Sequence, residues 1–114
     1  MRIFEPWDIV RVPFPYTDRP VRQRRPALVV AAGELQSVHG LLWLAMITSA
    51  QHIGWPGDVA ISDLGGAGLP APSIVRPAKI ATFVAGDAGR LGSLPLADRE
   101  PVRAYLRQRL LGLG

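Results

Sequence analysis

Apolar and polar positions alternate in some stretches of this chain and run together in others, and the switch between the two patterns marks its elements. Residues 8–14, Asp8-Ile9-Val10-Arg11-Val12-Pro13-Phe14, begin with two apolar residues and then alternate. That predicts a first strand, ended or set at a sheet edge by Pro13 and Pro15. Residues 27–32 form an apolar run directly after Arg24-Arg25-Pro26. Pro26 fixes its own φ and has no N–H, so it is predicted to start a second strand, buried on both faces, with Arg25 at its mouth. Residues 33–38 read as a connection with room for a helical turn. Residues 41–48 are the third strand, buried and central, and Thr48, Ser49 and Gln51 cluster at its end. A Trp55-Pro56 turn over 54–57 leads to a short alternating strand at 58–61 and a glycine-rich bend at 65–68. That bend is not a phosphate loop, because no Gly-Lys-Ser/Thr follows it. Residues 72–77 and 78–84 read as the fifth and sixth strands, and 86–92 as a turn. A helix is predicted over 98–111. Val102, Leu106 and Leu110 form its stripe, widened by Tyr105; Asp98 is its N-cap, Pro101 lies in the first turn and Gly112 stops it.

Five or six short strands, many Gly/Pro turns and one terminal helix predict a mainly β (α+β) fold: a small, strongly bent sheet or partly open barrel. Residues 1–114 read as a single domain, without repeats or linkers.

Composition narrows the partners. The chain has no cysteine, which excludes a disulfide framework and a thiolate metal site and agrees with the cytoplasm. The first residues lack a signal-peptide layout, and no apolar run approaches the ~20 residues of a membrane helix, so no membrane partner is expected. Net charge is +4, and Lys79 is the only lysine. A basic balance favours nucleic acid or an acidic protein. A GC-rich genome also yields arginine, so placement matters more than number. The predicted loop over 15–24 carries Arg19, Arg22 and Arg24, followed by Arg25, against Asp18 alone. It is long for a hairpin, and long loops are often functional.

Metal chemistry is poorly provided for. His39 and His52 have no partner at helical spacing and no nearby pair of carboxylates, so neither a metal nor another cofactor is expected. Asp58 and Asp63 flank a short strand in the manner of solvated turn residues. No nucleophile elbow occurs. Arginines and hydroxyls remain. Arg25 and Thr48 meet if the second and third strands pair antiparallel. A guanidinium beside a hydroxyl can hold a phosphodiester and stabilise charge building on its oxygens. On RNA the substrate's own 2′-OH could then serve as nucleophile. Ser73 and Arg76 give polarity to the fifth strand. Trp43 reads as core or as a subunit contact; Trp55, in a Gly/Pro turn, suits either a stacked base or a protein interface.

Six segments in order resemble the PemK/MazF-type toxins. They are Asp8-Ile9-Val10 leading to Pro13-Phe14-Pro15-Tyr16-Thr17-Asp18, then Arg24-Arg25-Pro26-Ala27-Leu28-Val29-Val30, Ile47-Thr48-Ser49, Gly57-Asp58-Val59, the Gly68 to Arg76 stretch, and Lys79-Ile80-Ala81-Thr82. The resemblance spans nearly the whole chain. It implies an SH3-like barrel with a C-terminal helix, acting as a homodimer. It implies a metal-independent endoribonuclease that cuts single-stranded RNA, usually mRNA, and a cognate antitoxin that inhibits it across the dimer. The family's catalytic arginine and threonine fall on Arg25 and Thr48, and the RNA-contacting set expected around them is Arg19, Arg22, Arg24, Ser49, Gln51, Ser73 and Arg76. The antitoxin segment that meets these cations is expected to be acidic. Two departures stand out: Trp7 replaces the usual glycine before the aspartate, and the first loop lacks the glutamate some members carry, which leaves His52 as a substitute for proton transfer. A sister branch of the same fold poisons DNA gyrase without hydrolysis, and a catalytically silent interaction module is a further alternative.

Overall fold

The computed structural model describes residues 3–14, 23–52 and 54–111. Most of the loop expected at 15–24, with Arg19 and Arg22, lies outside these residues. The elements run β1 (Asp8–Phe14), β2 (Gln23–Ala31), α1 (Gly33–His39), β3 (Leu41–Ser49), β4 (Val59–Ala60), α2 (Leu64–Ala67), β5 (Ser73–Val84), β6 (Gly89–Ser93) and α3 (Leu96–Leu111). The strands form one antiparallel sheet in the order β4-β5-β3-β2-β1-β6. Register shifts between Ile9 and Val10, between Val29 and Ala31, and between Ala45 and Met46 interrupt three of its ladders. Such bulges bend strands and add twist, which curls the sheet into a partly open barrel.

Both faces of the sheet are covered, and this explains the continuous apolar runs of β2 and β3. On one face Ile9, Leu28, Ala45, Ile47 and Val75 pack with Leu94 and with Val102 of α3. On the other, Val10, Val12, Ala27, Val29, Leu44 and Met46 pack with Phe4 and Leu42. Successive residues of β2 and β3 thus feed alternate clusters, as a period of two requires.

Several expectations need correction. Pro26 does not start β2; it lies three residues inside it, opposite Arg11 of β1. Pairing to β3 begins only at Ala27, so the ring occupies a stretch of β2 that has one paired neighbour, where a missing N–H is tolerated. The predicted fifth and sixth strands are one strand, β5. Ala45 pairs with Ile80 while Met46 pairs with Arg76, so Pro77 and the two residues after it form the bend. The true sixth strand, Gly89–Ser93, falls in the predicted turn. Asp98 does not cap α3, which begins at Leu96. It is buried inside the first turn, and its Oδ2 accepts from Ser62 N at 2.8 Å and Ser62 Oγ at 3.0 Å, tying the chain after β4 to the helix. Pro101 therefore sits beyond the first turn. The helix stripe is buried at Val102 but leaves Leu110 exposed, and Trp43 is exposed rather than core.

Trp7 carries a backbone cost that the sequence explains. Residues 5–8 form a turn closed by Asp8 N donating to Glu5 O at 3.1 Å, with Pro6 second and Trp7 third. The third position of a type II turn needs positive φ, and Trp7 adopts φ 77°. Its indole lies 5.7 Å from the Arg99 guanidinium and 5.2 Å from that of Arg103, both on α3. Strain and packing therefore oppose one another at this residue. Trp7→Ala loses the packing and keeps the strain, whereas Trp7→Gly loses the packing and releases it. The glycine variant is expected to be the more stable of the two by about 1 kcal/mol. Urea midpoints measure this, and an alanine variant equal to or above the glycine variant contradicts it.

Candidate functional site

The antiparallel register of β2 and β3 pairs Ala27 with Met46 and Leu28 with Ala45. Continued two residues, it sets Arg25 across from Thr48. Both line a cleft of about 310 Å³ at this end of the sheet. Arg11 of β1, Arg24, Ser49 and Ser73 line it as well, and the chain from Gly68 to Pro72 forms one wall. Three arginines and two serines thus join Thr48, and no carboxylate is among the described lining residues. Their formal charge suits an anion, and the hydroxyls can donate to its oxygens.

The wall is held by a close backbone approach. Gly68 has φ 74°, and a Cβ built there falls 2.1 Å from Leu91 O. Any side chain would push the wall away from β6. Arg24 is anchored, its Nη2 donating to Arg11 O at 3.2 Å and to Asp87 O at 3.3 Å. Arg25 is exposed at the cleft mouth, and Thr48 is half-buried. Ser73 Oγ donates to Ala71 O at 2.9 Å, which shapes the start of β5.

The remaining sequence candidates lie elsewhere. Gln51 is exposed in the turn Ala50–His52, outside the cleft lining, and its N–H donates to Ser49 Oγ at 3.3 Å. Arg76 is nearly buried: Nε donates to Asp58 Oδ1 at 3.1 Å, and Nη2 to Asp58 Oδ2 at 3.0 Å and to His52 O at 2.7 Å. The Arg76 hydrogen bond holds the Asp58 carboxyl below the usual carboxylate range, against its burial and with help from the Trp55 and Gly54 N–H groups. His52 is exposed and outside the cleft lining. Arg11 is the cleft residue that the sequence does not single out; its charge between the apolar Val10 and Val12 of β1 is the available signal.

Among the described residues, no group of three or more His, Asp or Glu side chains comes together. No helix among them is long and apolar enough to cross a membrane. A larger groove of about 1220 Å³, lined by Phe4, Trp7, Gln36, Val84 and neighbours, has no basic side chain among its described lining residues. The Gln36 amide is occupied there by the Phe4 backbone, at 2.9 Å in each direction. The chemistry for an anionic substrate therefore lies in the smaller cleft.

A curled antiparallel sheet with a C-terminal helix and an arginine-lined cleft at one end defines a small, partly open β barrel with a cleft suited to anions. The chain belongs to the family of PemK-like, MazF-like toxins of type II toxin–antitoxin systems, whose family model matches residues 5–110. No curated sequence matches it significantly. Among solved structures it is similar to MazE–MazF (form II) from Deinococcus radiodurans, with 23% identity and a TM-score of 0.74 over 96% of this chain and 97% of that one. It is also similar to an endoribonuclease in complex with its cognate antitoxin from a mycobacterial species, with 18% identity and a TM-score of 0.71 over 96% and 95%. The Mycobacterium tuberculosis toxin MazF-mt6 shares 19% identity, with a TM-score of 0.66 over 93% and 96%. At these identities the likeness is one of fold, and the fold is the mainly β barrel with a C-terminal helix that the sequence predicts.

Proposed function

We propose that this protein is a toxin endoribonuclease that cleaves single-stranded RNA, chiefly mRNA in the cytoplasm, without a metal ion. The observation that carries the reading is the convergence of Arg25 and Thr48 on one cleft. Membership of the toxin family supports it. Arg25 holds the scissile phosphate by its two-pronged fork and stabilises the charge that grows on its oxygens. Its pKa, above ~12, makes this electrostatic role stronger than any role as a base. Thr48 donates its hydroxyl to a phosphate oxygen and fixes the orientation. Arg11 and Arg24 favour the flanking backbone, with Ser49 and Ser73 at the rim. Arg19, Arg22 and Gln51 are the further RNA contacts that the sequence suggests.

The protein acts as a homodimer and is held inactive by a cognate antitoxin whose acidic segment competes with RNA for these cations. The structures of MazE–MazF and of an antitoxin-bound endoribonuclease, similar in fold, support a partner of that kind. Incubation of purified protein with total RNA in excess EDTA tests the activity: fragments of discrete length are expected, and RNA left intact with and without added divalent ions counts against it.

A further inference from the structure

The loop of residues 54–58 is built more firmly than a connection between β3 and β4 requires. Asp58 Oδ2 accepts from Gly54 N at 3.2 Å, from Trp55 N at 3.1 Å and from Arg76 Nη2 at 3.0 Å. Asp58 Oδ1 accepts from Arg76 Nε at 3.1 Å, and His52 O fixes the guanidinium from a third direction. The Asp58 side chain is 2% exposed and that of Arg76 11%. These polar bonds close the loop without help from the indole. The Trp55 ring instead rests on the locked guanidinium, 4.2 Å from Cζ to ring centroid, and remains 48% exposed. A large aromatic side chain is thus held on one face and open to solvent elsewhere.

Its position relative to the cleft follows from the β3–β5 register. Thr48 pairs with Ile74 and Met46 with Arg76. Thr48 and Arg76 are therefore diagonal neighbours on one face of the sheet, about 7–8 Å apart in standard antiparallel geometry. The residue that supports the ring is thus a cross-strand neighbour of the threonine whose hydroxyl orients the phosphate. The acid of this loop is neutralised by its ion pair, so an approaching phosphate chain meets no open negative charge from it.

We propose that Trp55 is a preorganised stacking platform for the nucleobase next to the scissile phosphate, with Arg76 and Asp58 as the residues that position it. The proposal rests on the endoribonuclease reading and adds a base-binding subsite to it. It also gives Arg76 a different part from the phosphate contact expected from the sequence: its donors are engaged, and its face supports the ring. Holding the indole in place in the free protein removes the ordering cost that a mobile aromatic would incur on binding. Stacking tolerates any base, so this subsite contributes affinity and register more than sequence choice.

The test uses full-length protein and a fluorescent pool of single-stranded 2′-O-methyl RNA octamers, randomised at every position and resistant to attack by the 2′ oxygen. Trp55→Ala is expected to weaken binding on the order of tenfold to a hundredfold. Trp55→Phe retains a π face and should stay within a few fold of the wild type. Trp55→Leu, which keeps apolar bulk without that face, should resemble the alanine variant. The slope of log affinity against log salt should be unchanged in all three, because no phosphate contact is lost. Wild-type protein that cuts RNA, with the alanine and leucine variants binding the pool as well as the phenylalanine variant, overturns the stacking role and leaves the nuclease reading standing. Wild-type protein that neither binds the pool nor cuts RNA overturns both. A leucine variant that matches phenylalanine, or an alanine variant that alters the oligomer in sedimentation without weakening pool binding, identifies an apolar or protein contact instead and overturns the proposal.

Discussion

Arg25→Ala is expected to reduce RNA cleavage by a factor on the order of a hundred or more, the usual consequence of losing one preorganised stabiliser of transition-state charge. Arg25 is exposed near the start of β2, ahead of the residues that pair with β3, and the buried clusters begin at Ala27. Arg25→Lys restores charge without the planar fork and should recover activity only in part. Thr48→Ala should fall by a comparable factor, because the hydroxyl donor is lost while β3 remains intact. Arg24→Ala should affect stability as well as cleavage, because its guanidinium bonds two backbone carbonyls, at Arg11 and Asp87. Initial rates on total RNA, with circular dichroism melts of each variant, measure all four. Cleavage by Arg25→Ala near the wild-type rate, in a folded protein, refutes the assignment.

The parts of this site that were legible in the sequence depend on local pattern and simple pairing. Thr48 sits at the end of an unmistakable apolar run, and Arg25 precedes another. Antiparallel pairing of neighbouring strands is enough to bring the two together. The errors arise where a residue's usual local meaning yields to tertiary context. Pro26 reads as a strand start, but one-sided pairing lets it sit inside β2. Gly89 and Gly92 read as turn residues, yet they belong to β6. A Cβ at Gly92 would fall 2.5 Å from Gly66 O and from the carbonyl carbon of Ala67. Glycine within a strand signals close backbone approach as well as a turn, and here it is the former. Asp98 has the composition of a cap but serves as a buried acceptor for Ser62. The Arg76–Asp58 pair joins residues 18 positions apart through a loop whose course no local pattern specifies. Arg11 enters the cleft through its register opposite Pro26, which depends on where β1 and β2 pair across the loop between them.

RNA carrying a single 2′-deoxyribose immediately 5′ of the scissile phosphate is expected to remain uncut at that bond, while the same strand with ribose throughout is cleaved. The reasoning begins with what the cleft offers. It supplies guanidinium charge and hydroxyl donors, and among the described residues no carboxylate lines it to activate a water molecule. A nucleophile already attached to the substrate needs only orientation, and a tethered nucleophile held in line gains a large effective concentration over free water. The 2′-hydroxyl gives up its proton to solvent as its oxygen bonds to phosphorus, the bond from phosphorus to the 5′-oxygen breaks, and the departing 5′-oxygen takes up a proton from solvent. The products are then a 2′,3′-cyclic phosphate and a 5′-hydroxyl, with Arg25 and Thr48 stabilising the crowded, more negative phosphorus centre between them. The cleavage site is first mapped on all-ribose RNA, and the modified strand is then made for that site. Mass spectrometry of the fragments distinguishes the cyclic end from the 5′-phosphate that attack by water at the other bond would leave. DNA of the same sequence should be equally inert, and the rate on all-ribose RNA should not fall when EDTA is added. Efficient cutting of the 2′-deoxy strand at the mapped bond would show that the nucleophile comes from elsewhere. The role of the Arg25–Thr48 cleft would then have to be that of binding the phosphate for a group outside it.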